Sequence, residues 1–119
     1  SLAHPLSARH GTHHGLANAL MLPDSMTFIE TADLTNVQRQ RIQTIRTLFA
    51  EAGRTGDSLA DETRKWFEEL GIQFGLQNHG ITADDLAPLA DEAFADPCHA
   101  TNLIPVTRDD LAAVYQSAL

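Results

Sequence analysis

Four of the chain's six histidines, His4, His10, His13 and His14, fall within its first 23 residues. Imidazole is a common metal ligand and the usual proton carrier near neutral pH. Crowding of this kind therefore points to metal binding or proton transfer. His10 and His14 are four residues apart and would share a face on a helix. His4 and His14 are ten apart and converge only if the chain between them turns back. A helix-borne His-Glu-x-x-His is absent, and the block carries no cysteine or carboxylate before Asp24. Spacing alone thus leaves metal ligation and ordinary loop or capping roles both open. For His10 and His13 the ordinary role is the stronger reading.

The rest of the chain reads as the support for this block. Pro5 and Gly11 predict a loop over residues 1 to 13. From about His14, Leu16, Ala17, Ala19, Leu20 and Met21 predict a buried helix. Pro23 predicts a kink or a second start, with Asp24 and Ser25 near the surface and Met26, Phe28 and Ile29 continuing the apolar face. Thr35-Asn-Val-Gln38 has capping-box spacing. The helix behind it carries Val37, Ile42, Ile45, Leu48 and Phe49 as an expected inward stripe, ended by Gly53. A third helix runs from about Asp57 or Ser58 to Leu70, with Leu59, Trp66, Phe67 and Leu70 facing inward. Residues 71 to 81 hold three glycines and read as a connector with at most one short helical turn. Thr82 starts another helix, whose true beginning Pro88 could shift later. Residues 96 to 106 read as a loop, and Thr107 caps a last helix carrying Leu111, Val114 and Tyr115. No stretch alternates with period two. The expected fold is all-α, a bundle of five or six helices in one domain.

Bulk properties narrow the function. The 119 residues carry 16 acids against 8 bases, a formal charge of −8. Such a surface argues against nucleic acid or an anionic membrane as partner. No apolar run approaches the length of a membrane span. The lone Cys98 rules out an internal disulfide framework and suits a reducing cytoplasm. The chain begins at Ser1, inside a motif-like stretch, which reads as a piece of a longer polypeptide.

His4-Pro-Leu-Ser-Ala, then His14-Gly-Leu-Ala-Asn-Ala and Leu22-Pro23, resembles the signature of the iron-containing (group III) alcohol dehydrogenases. In that family a His-x-x-x-His-Pro-Leu-Gly-Ala block is followed, nine residues after the proline, by His-Gly and a buried helix ending in Leu-Pro. Asp96-x-Cys98, Thr101-Asn102 and Pro105-Val-Thr107 resemble its later part. The resemblance implies that residues 1–119 form the C-terminal all-helical metal-binding and catalytic domain of a dehydroquinate synthase-like architecture. An N-terminal nucleotide-binding domain of the same parent chain would hold most of the NAD or NADP.

The resemblance also implies roles. His14 matches a ligand of the Fe2+, with Zn2+ as the alternative in a glycerol dehydrogenase-type member. His4 matches a histidine beside the metal, which implies a proton-relay or substrate-positioning role. Cys98 matches a position on the substrate side of the cleft; a buried structural thiol is the competing reading. The partner histidine of the first block would fall just before Ser1. The implied reaction is hydride transfer between a small alcohol or aldehyde and nicotinamide, by a protein that could be a homo-oligomer. The 119 residues alone are expected to be inactive. Ser7 stands where the family has glycine, His13 where proline is common, and Asn102-Leu-Ile where many members carry Asn-Pro-Arg. His79 and His99 lack surrounding motifs and read as loop histidines. The competing class is a stand-alone acidic helical module that binds a protein partner, its histidines incidental.

Overall fold

The computed structural model describes all residues from Ser1 to Leu119 and is helical throughout, without a strand. Six α-helices follow in order: α1 Ala3–His10, α2 His14–Glu30, α3 Asn36–Glu51, α4 Leu59–Glu69, α5 Leu86–Ala95 and α6 Arg108–Ala118. Short 3-10 segments at Leu76–His79, Ala83–Asp85 and Pro97–Thr101 join the later helices. The expected all-α bundle is thus what forms.

The first 13 residues are not a loop. Pro5 sits in the first turn of α1, where its missing N–H would have had no intrahelical acceptor, so it costs the helix nothing there. Gly11 is the true stop. It takes the left-handed conformation at φ 66° that favours glycine and donates its N–H to Ser7. Nor does Pro23 break α2, which runs unbroken for 17 residues. Pro23 is itself fully buried, and that burial offsets the one backbone bond it removes.

α2 is the spine. It contacts α1, α4 and α6, while α5 packs on α1 and α6. Its first half is apolar: Ala17, Leu20 and Met21 join Leu6 of α1, Leu89 and Ala93 of α5, and Val114 and Tyr115 of α6 in the main core. Tyr115 is fully buried, and its hydroxyl donates to the Leu2 carbonyl at 2.6 Å, tying α6 to the start of α1. Burial and the negative charge of Glu92 hold that phenol protonated far above its ordinary range.

The second half of α2 anchors α3 and α4 through charge. Asp24 is not near the surface as expected; it is buried and accepts from Arg64 at 2.9 Å. Glu30 accepts from the Leu59 and Ala60 backbone N–H groups at 3.1 and 3.2 Å and from Arg46 at 2.8 Å. One carboxylate thus satisfies two orphan donors at the start of α4 and fixes α3 beside it.

The expected stripe of α3 does not form a core, for no residue of α3 is buried. Val37, Ile45 and Leu48 are 60%, 41% and 59% exposed. Trp66 and Leu70, expected inward, and Phe94 of α5 are exposed as well. Arg54 lies over the Trp66 ring, at 5.5 Å from its centroid, so the indole is a surface platform for that guanidinium. Leu59 faces inward as expected, and Ala60, Glu62 and Thr63 complete the buried face of α4. The caps at Thr35 and Thr107 form as read, and Ser58 caps α4 by accepting the Asp61 N–H. At Thr82 the same device opens a 3-10 turn, and α5 starts only at Leu86, with Pro88 in its first turn.

Two predictions follow from these anchors. Glu30→Ala is expected to destabilise the fold by about 2–3 kcal/mol in urea unfolding, because two buried N–H donors and Arg46 lose their acceptor. Asp110 closes the Thr107 capping box. The hydroxyl and then the backbone N–H of Thr107 lower its pKa. A carboxyl lowered in the fold stabilises once ionised, and that contribution fades as pH falls through its folded value. Asp110→Asn should therefore be less stable than the parent sequence at pH 7, with the difference shrinking as pH falls below about 4.

Candidate functional site

The site is built where the N-terminal hairpin meets the end of α5. His4 lies in the first turn of α1 and His14 in the first turn of α2. The Gly11 turn folds these two starts together, so that the rings stack with centroids 5.2 Å apart and planes 23° from parallel. Both side chains are exposed on the same surface.

His14 is set by its neighbours. Its Nδ1 lies 3.5 Å from Ser7 Oγ, which itself donates to the Ala3 carbonyl at 3.2 Å. With its proton spent there, Ser7 Oγ has lone pairs facing His14 Nδ1, which favours the tautomer protonated at Nδ1. Nε2 then carries its lone pair outward and has no protein partner. This is the usual arrangement of a metal-ligating histidine, one ring nitrogen held by the protein and the other open. His14 therefore fits a metal ligand by its own surroundings. A metal there would take Nε2.

His4 is held by a carboxylate. Its Nδ1 pairs with Asp96 Oδ2. Asp96 caps the 3-10 segment after α5, its Oδ1 accepting the Cys98 N–H at 2.8 Å. The Cys98 N–H, then the His4 ring and the Cys98 thiol, hold this carboxyl well below the ordinary carboxylate range. The pair leaves His4 Nε2 facing out, beside His14. A ring nitrogen of His4, a carboxylate oxygen of Asp96 and Sγ of Cys98 all lie within 4.8 Å of one another. His14 stacks on His4 without joining that group of donors.

Cys98 is exposed, so the reading as a buried structural thiol fails. It stands on the wall of a cleft of about 310 Å³ whose apolar side includes Met21, Leu22, Phe28 and Val114. Its thiol pKa is raised, first by the hydrogen bond to Asp96 and then by that carboxylate's charge.

The other histidines are placed apart. His13 caps α2, its Nδ1 accepting the Gly15 N–H at 3.3 Å. His10 ends α1, its Nε2 enclosed without a hydrogen bond and 3.8 Å from Asp85. His79 bonds the Gln73 carbonyl, and His99 stacks on Phe94. Asp96 and Ser7 are the site residues that spacing did not single out. For Asp96 the usable signal was an Asx cap before a proline, Asp96-Pro97, next to the only cysteine.

The family model described as "Fe-containing alcohol dehydrogenase family, C-terminal" matches residues 1–119. The chain belongs to this family. Lactaldehyde reductase of Escherichia coli (strain K12) is 31% identical over 98% of this chain and 31% of its own length. Alcohol dehydrogenase 4 of Schizosaccharomyces pombe is 29% identical over the whole of this chain and 28% of its own. The chain thus spans about a third of the length of these relatives. The solved structure of a 1,3-propanediol oxidoreductase superposes with a TM-score of 0.75 at 22% identity, over 99% of this chain and 31% of that one, so the helical fold is shared.

The Asp96–Cys98 contact is directly testable. Asp96→Asn keeps an acceptor for the Cys98 N–H but removes the charge that suppresses the thiolate. Alkylation of Cys98 by iodoacetamide should then quicken at neutral pH, and its pH–rate profile should move to lower pH than in the parent sequence.

Proposed function

We propose that these 119 residues are the metal-binding helical part of an NAD(P)-dependent alcohol dehydrogenase acting on a small alcohol–aldehyde pair. The observation that carries the reading is the stacked His4–His14 pair, with each ring held from one side and open at Nε2. Membership of the iron-containing family supports the metal and the nicotinamide chemistry. The names of the relatives, a lactaldehyde reductase and an alcohol dehydrogenase, support the substrate class.

In this reading His14 supplies one metal ligand through Nε2, and residues outside this chain supply the others. A bound divalent iron would polarise the substrate oxygen as a Lewis acid and favour loss of its proton. His4 receives that proton at Nε2, and Asp96 holds the ring in the tautomer that can accept it. Asp96 acts through His4 and is a positioning residue. Cys98 stands on the wall of the cleft that would receive the carbon chain of the substrate. The nucleotide would be bound by an N-terminal domain of the parent chain, so the 119 residues alone would lack dehydrogenase activity. The lone exposed thiol suits a reducing cytoplasm.

The test separates the two histidines in the full-length parent. His14→Ala is expected to lower bound metal, measured by elemental analysis after anaerobic purification, together with turnover. His4→Gln should keep the metal and lose about 100-fold or more in kcat. Full metal occupancy and turnover in His14→Ala would sink the assignment. The same analysis distinguishes iron from zinc.

A further inference from the structure

His4, Asp96 and Cys98 bring one nitrogen, one oxygen and one sulfur donor within 4.8 Å of one another. The three come from different parts of the fold, α1 for His4 and the turn after α5 for the other two, so their meeting is a tertiary feature. We propose that this triad is a second cation site, distinct from the ligand His14, that takes a thiophilic divalent ion such as Zn2+ or Co2+. The donor set decides the class of ion. Zn2+ and Co2+ accept imidazole, carboxylate and thiolate together, whereas Mg2+ and Ca2+ prefer oxygen alone.

Two features prepare the site. The Cys98 N–H fixes Asp96 through Oδ1 at 2.8 Å, leaving Oδ2 turned toward His4. His4 and Cys98 are exposed, so an ion reaches the three donors without opening the core. The ion binds His4 at Nδ1 in place of the hydrogen bond to Asp96, and the ring keeps its proton by changing tautomer to Nε2–H. Binding also requires the thiolate, so the step is M2+ plus Cys98–SH giving the M2+–S bond and one proton released to solvent. Three protein donors leave the ion open to water on its remaining side. Where His4 serves as the relay proposed above, an ion at this triad ties up its ring and Cys98 together and blocks turnover. That consequence rests on the relay reading; the binding itself does not.

Cobalt titration of the 119-residue chain tests the site, carried out without air and with a phosphine reductant in place of a thiol. Co2+ bound to thiolate gives a sulfur-to-metal charge-transfer band in the near ultraviolet, which imidazole and carboxylate ligands do not. The expected result is a band that saturates at one ion per chain, is bleached by Zn2+, and accompanies proton release. Cys98→Ser should abolish it. His4→Ala and Asp96→Asn should each weaken Co2+ binding by about tenfold or more. His14→Ala should leave the band in place, which separates failure of this site from failure of the iron-ligand assignment. No band, saturation at half an ion per chain, a band that survives Cys98→Ser, loss of the band in His14→Ala, or unchanged affinity in both His4→Ala and Asp96→Asn would overturn the proposal.

Discussion

The histidine surface depends on the closure of α1 onto α2 through Gly11. A residue with a side chain pays a steric cost at φ 66°, and without that left-handed turn the two helix starts would not come side by side. The approach is then set by Leu6 and Ala17, both without solvent exposure. Alanine at 17 keeps the α2 surface shallow, so Leu6 packs down between the helices. His4 and His14, ten residues apart in sequence, are brought to 5.2 Å between ring centroids. The cap by His13 finishes the turn by satisfying the Gly15 N–H at the start of α2. Leu2 is bound from the other side by buried Tyr115, so the hairpin is held to α6 as well.

α2 links two regions built on different physics. Around its first half the contacts are apolar and close-packed. Around its second half they are ionic, with Asp24, Glu30 and Glu62 paired to Arg64, Arg46 and Arg54 respectively. All three carboxylates are strongly shielded, with side chains 10–12% exposed. Such pairs confer position more than net stability, because desolvation consumes much of the Coulomb gain. α3 is held by this ionic group and by Gln38, whose amide donates to the Leu103 carbonyl at 2.7 Å. It therefore needs no buried stripe, and Val37 and Leu48 stay at the surface.

This division explains what the sequence made legible. Local signals were reliable where local chemistry decides: capping threonines, the glycine stop at Gly11, and an apolar helix from His14. Pro5 and Pro23 misled because the penalty of proline depends on where its missing N–H falls and on what its ring packs against. At Pro5 the donor would have been an orphan, and at Pro23 a buried ring offsets the lost bond. The α3 stripe misled for a different reason. Apolar spacing shows that a helix could bury a face, not that a partner is supplied, and here Glu30 and Arg46 fill the position an apolar contact would take. The pairing of Asp96 with His4 spans 92 residues and left no mark on local spacing. The resemblance to the family carried His4 and His14, and their geometry agrees with a shared surface.

Asp96 couples these levels. As an Asx cap it ends α5 and starts the next turn by accepting the Cys98 N–H, a role an asparagine could fill. As an anion it does two further things. It fixes the tautomer and direction of His4, and it suppresses ionisation of the Cys98 thiol. The two effects are complementary. A histidine with a carboxylate behind it keeps one tautomer and one direction. A cysteine beside an open cleft would be an easily oxidised nucleophile if its thiolate were favoured, and the same carboxylate opposes that. The charge at 96 therefore orients one neighbour while keeping the other protonated. Only a cation placed among all three groups reverses the second effect, since it replaces the repulsion between Asp96 and the thiolate with a shared attraction.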